Sequence, residues 1–116
     1  MRARKRERVE RHAARALSLV APDLRLLVGW SREAIPWATV KNDVFAEAFT
    51  FGRDGVVVID ERRFEAAAPD DREDTVIHEL AHLLAWHRHG HAIQLHGREW
   101  ERARAEIDRA LDEEDA

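Results

Sequence analysis

Apolar residues along the first twenty positions fall at helical intervals. Val9, Ala13, Ala16, Leu17 and Val20 share one side of a helix that must end before Pro22. The period then changes. In "LRLLVGW" (24–30), Leu24, Leu26, Val28 and Trp30 alternate with the other positions, which predicts a strand. Residues 31–42 show neither period, and Pro36 argues against a continuous helix there. "VFAEAFTFGRDGVVVID" predicts two strands joined at Gly52–Gly55, with Asp54-Gly55 as the turn signal. "ERRFEAAAPDD" reads as a connection with room for a short helical piece.

The strongest helix follows. Asp70 after Pro69, with Glu73 three residues later, has the form of a capping box, and Gly90 offers a stop after His89. Val76, Ile77, Leu80, Leu83 and Leu84 form its core face. Residues 90–95 read as loop. A last helix starts near His96-Gly97 and buries Trp100, Ala103, Ile107 and Leu111. This order of elements predicts a small α+β domain spanning 1–116.

Composition narrows the chemistry. The 116 residues contain no cysteine, which excludes disulfides, thiolate zinc sites and catalytic thiols. No apolar run reaches transmembrane length. The basic, mildly apolar start is not a signal peptide, because Arg15 interrupts an apolar stretch already too short for one. A cytoplasmic monomer is expected. The net charge of −4 hides an asymmetry: residues 1–15 carry a net of +5 and residues 106–116 a net of −5. The basic helix is a candidate surface for DNA phosphates, although no aromatic residue interleaves its arginines to stack on bases.

Six of the seven histidines lie in "HELAHLLAWHRHGHAIQLHGREW" (78–100). His78 and His82, four apart, point the same way from the helix, one turn above the other. Glu79 lies about 60° round from His82, on the same edge. His-Glu-x-x-His thus puts two imidazoles and a carboxylate on one side of a helix whose other side is core. Catalytic zinc takes three protein ligands and keeps a fourth position open. His96, at the mouth of the next helix, is the best third ligand, with His91 and Glu99 as rivals. Neutral imidazoles favour zinc. His87 falls on the core side, His89 and His91 flank a turn, and His12 belongs to a helix surface. The elongated metzincin pattern fails, since Ala85 and Arg88 stand where its glycine and histidine belong, and Met1 is the only methionine.

"HELAHLL" (78–84), followed after thirteen residues by "HGREW" (96–100), resembles the SprT-like zinc metallopeptidases, which pair His-Glu-x-x-His with a later His-Gly-x-x-aromatic. "GVVVIDERRF…DTVIHELAHLL" is similar to that family's approach into its active-site helix. The resemblance implies a zincin-like minidomain with a three-stranded, mostly antiparallel sheet. It also implies a zinc-dependent endopeptidase acting on proteins or peptides, with His78, His82 and His96 as ligands, Glu79 as general base and Trp100 packed beneath. Many relatives append a cysteine-rich zinc ribbon, which a chain without cysteine cannot form. Some digest proteins crosslinked to DNA, a task for which only the basic first helix speaks here.

Peptide hydrolysis by such a site needs Glu79 to take a proton from water and pass it to the leaving amine. An extended substrate is expected to add to a sheet edge along 55–60. The oxyanion partner is not a tyrosine, because there is none; Arg98 and Arg102 are candidates by position, with solvation their default. Asp74, one turn before His78, is placed either to orient that imidazole or to complement the helix N-terminus. Three other readings stay open: a regulator-cleaving peptidase using Glu99, a non-catalytic module with structural zinc, and a DNA-binding protein with incidental histidines.

Overall fold

The structure, a computed structural model, describes residues 1–31 and 45–115. The ambiguous stretch around Pro36 lies outside the described residues. The elements are α1 (Ala3–Val20), β1 (Arg25–Ser31), β2 (Ala46–Phe51), β3 (Asp54–Asp60), α2 (Glu61–Ala66), α3 (Pro69–His89) and α4 (Arg98–Asp115).

Helix α3 is the organising element. Val76, Ile77, Leu80, Ala81, Leu83, Leu84 and Ala85 are all buried along it. They meet the sheet, Ala13, Ala16 and Leu17 of α1, and Ala103 and Ile107 of α4. Alanines at these contacts let the helix backbones approach closely. Trp30 is tied to α1 by a 2.8 Å hydrogen bond from its indole N–H to Glu10, and Phe64 packs edge-on against Trp30 and Phe45.

Among the described residues the sheet has three strands in the order β1-β3-β2. It is mixed rather than mostly antiparallel, because β1 pairs parallel to β3 and β2 antiparallel to it. Residues 55–60, expected to present an edge to substrate, form the central strand and are paired on both sides. Among the described residues, β2 is the edge strand nearer α3.

Two local expectations also change. The hairpin turn is Gly52-Arg53, with Phe51 opposite Asp54 and Gly52 at φ +62°, so Asp54 and Gly55 belong to β3. A glycine is needed at 55 for another reason: a Cβ there would lie 2.9 Å from a terminal methyl of buried Leu83. At the start of α3, Ala68 occupies the N-cap and Pro69 the first turn, with no side-chain cap. Asp70 and Asp71 act instead as charges in the first turn, favourable to the helix dipole. Gly90, at φ +75°, ends the helix as its position suggests.

The basic helix α1 keeps most of its arginines exposed, but not all are available to an outside anion. Arg6 donates to both oxygens of Glu61 at 2.8 and 3.0 Å, and Arg15 pairs with Glu114. His12, on the surface, lies 3.6 Å from Glu73. Among the described residues no helix is long and apolar enough to cross a membrane.

Candidate metal centre

Helical periodicity places His78 and His82 side by side, and the loop after Gly90 returns the chain so that His96 reaches both. The three Nε2 atoms form a near-equilateral triangle: 3.3 Å from His82 to His78, 3.1 Å from His82 to His96 and 3.0 Å from His96 to His78. A tetrahedral ion held at about 2.0–2.1 Å needs ligand nitrogens about 3.3 Å apart, close to these edges. The triangle also has a protonation problem that an ion solves. Each facing nitrogen either carries a proton or offers a lone pair, and three mutual neighbours cannot alternate donor with acceptor. At least one pair must clash as like with like. A central cation lets all three act as acceptors, so the residues fit a metal.

The surroundings favour the neutral imidazoles a metal requires. Burial, then the neighbouring His78 and His96, pushes His82 down to about 4; burial and His96 also lower His78. Trp100 forms the floor, 4.8 Å from the His78 ring and 5.0 Å from His96, and its indole N–H donates to the His78 carbonyl at 3.2 Å. Gly97 makes the entry to α4 possible. A Cβ at Gly97 would come within 2.9 Å of the Gln94 Cβ, in the turn closed by the Gly97 N–H to the Gln94 carbonyl.

Glu79 sits beside the cluster, only 8% exposed. Burial, reinforced by the Glu47 carboxylate, pushes its carboxyl up to about 8, while the Ala48 backbone on β2 hydrogen-bonds to it and works the other way. This yields a pH prediction for metal-free protein. A pKa raised on folding contributes stability that is full below the ordinary value of 4.5 and is lost as pH rises through about 8. His78 and His82, lowered from 6.5, act below that pH, where protons favour the unfolded chain. Between pH 6.5 and about 8 the Glu79 effect is therefore unopposed. The thermal midpoint of chelator-treated protein should fall across that window, and the fall should disappear in Glu79→Gln.

The other candidates are placed elsewhere. His91 stands outside the cluster: it stacks on Trp86 at 4.9 Å and shares a 3.0 Å hydrogen bond with Thr50 of β2. Trp86 stacks in turn on His82 at 5.3 Å, so His82, Trp86 and His91 make a continuous brace from the cluster to β2. The sequence carries half of this signal, since Trp86 stands one turn beyond His82. Among the described residues, His78, His82 and His96 are the group able to hold an ion, and Glu99 lies outside it. Asp74 is engaged by Arg104 of α4 at 2.6 Å, so its main partner is that guanidinium and not His78. Arg98 and Arg102 are exposed. His87, exposed and not in the core, bonds to Asp23 at 3.1 Å. Arg88, where a metzincin has its third histidine, pairs with Glu106 of α4.

The model of the SprT-like family matches residues 6–115, nearly the whole chain. The chain belongs to the SprT-like family. Neither a curated protein nor a solved structure gives a match. For this SprT-like protein, the family's paired motifs coincide with the geometry: His78 and His82 from one motif and His96 from the other meet at one point, above the tryptophan that closes the second.

Proposed function

We propose that this SprT-like protein is a zinc-dependent endopeptidase acting on extended segments of protein substrates. The observation that carries the reading is the buried Glu79 carboxyl, set beside three convergent imidazoles and hydrogen-bonded to the backbone of β2, an edge strand among the described residues. A structural zinc site needs no carboxyl of this kind, and burying one costs stability. His78, His82 and His96 would hold the ion, which when bound supplies Lewis-acid polarisation of a carbonyl and acidifies water.

The rest falls to the chain's own groups. A substrate strand added to β2 brings its peptide bond to the place where Glu79 meets Ala48. Glu79 takes a proton from the attacking water, whose oxygen adds to the carbonyl carbon, and returns it to the nitrogen as the C–N bond breaks. A carboxyl held beside the cluster is positioned for both transfers. Incubation of the zinc-loaded protein with an unfolded, fluorescently labelled protein tests the reading. Cleavage should stop on chelation and return with zinc. A zinc-loaded protein that leaves unfolded substrates intact would favour a purely structural metal.

A further inference from the structure

A strand that joins β2 also joins the rows of side chains crossing the sheet, and among the described residues one of those rows is apolar from β1 to the edge at β2. Ala46 and Ala48 are buried on the α3 side, and Thr50 reaches His91 from that side. Glu47, Phe49 and Phe51 therefore project from the opposite face. The register makes Leu27, Val56 and Phe49 one continuous apolar row across β1, β3 and β2, with Phe51 ending the next row and Glu47 the previous one. At the edge, Phe49 is 41% and Phe51 74% exposed. Edge strands ordinarily carry charge or proline to discourage pairing. This one offers two aromatic rings, two residues apart, next to a catalytic-type carboxyl.

We propose that Phe49 and Phe51 are specificity-determining residues, and that the preferred substrates are extended segments with apolar side chains at two alternate positions on one side of the scissile bond. The inference rests on the peptidase reading. Side chains directly opposite one another in an antiparallel pair, or diagonal to it, lie in contact on the same face. A substrate strand thus extends the Leu27–Val56–Phe49 row by one apolar residue and places a second, two residues away, against Phe51. Glu79 at Ala48 marks the point of cleavage, so both contacts fall on the side of the cleft toward Gly52. The apolar preference ends at Glu47, on the other side.

The test uses two fluorogenic peptides that differ only at two alternate positions, leucine in one and serine in the other, with wild type and the Phe49→Ser, Phe51→Ser double variant. Wild type should prefer the leucine peptide. Each lost phenylalanine should reduce kcat/KM for that peptide about two- to fivefold, expressed mainly in KM, with the serine peptide little changed. An undiminished preference in a double variant with normal zinc content overturns the proposal. Peptide binding to zinc-loaded Glu79→Gln, followed by fluorescence anisotropy, separates the two readings. If wild type cleaves neither peptide yet the leucine peptide binds through Phe49 and Phe51, the peptidase reading fails and the docking row stands. Equal binding of both peptides overturns the row.

Discussion

Glu79→Gln should reduce peptide hydrolysis by about 10²- to 10⁴-fold, the contribution typical of a positioned general base, while zinc content stays at the wild-type level. The amide has the size of the carboxyl but cannot accept and return a proton. It is not one of the three groups facing the ion, so metal loading has no reason to change. A second signature accompanies the first. Because burial and Glu47 make the ionised carboxyl costly in the metal-free fold, the variant should be the more stable of the two at pH 8 after chelation. Loss of activity with zinc retained and stability raised would identify a catalytic group held at the expense of the scaffold. Loss of both activity and zinc would indicate a structural defect instead.

Leu80→Ala should be among the most damaging core substitutions, lowering stability by about 2–5 kcal/mol. Leu80 is fully buried on α3, next in sequence to Glu79, in a core shared by the sheet, α1 and α4. Deletion of its branched end leaves a cavity that packed neighbours fill only in part. The loss is a large share of the roughly 5–15 kcal/mol that holds a domain of this kind together. Zinc, by binding only the folded cluster, should recover part of it, with a shift that grows with free zinc concentration. Thermal unfolding of wild type and variant with and without zinc measures both quantities.

The parts of this molecule that depend on a local period were legible in the chain. Apolar spacing gave α1, α3 and α4 almost to their ends, and the four-residue spacing put His78 and His82 on one edge. The third histidine of the cluster was less local, resting on its place at the mouth of the next helix and on the family resemblance. What went astray depends on contacts between distant residues. Asp54-Gly55 has the composition of a turn, yet Gly55 is small because Leu83, from a helix 28 positions away, occupies the space a side chain would need. The strand at 55–60 follows the pattern of any half-buried strand, and nothing within it reveals that β1 and β2 flank it on both sides. Asp70 has the chemistry of a cap, but the N-cap is Ala68 and Pro69 begins the helix two residues earlier than that cap would. The brace from His82 through Trp86 and His91 to Thr50 spans three elements, and only its first step follows a helical spacing.

A three-histidine zinc site is tested by zinc per chain, measured by elemental analysis in purified wild type and His96→Ala. His96 is exposed and lies outside the helices, so its removal should spare the fold while opening one corner of the triangle. Wild type should hold close to one zinc per chain, and the variant should show a sharp fall. Zinc held equally by both, or by neither after reconstitution, would contradict it.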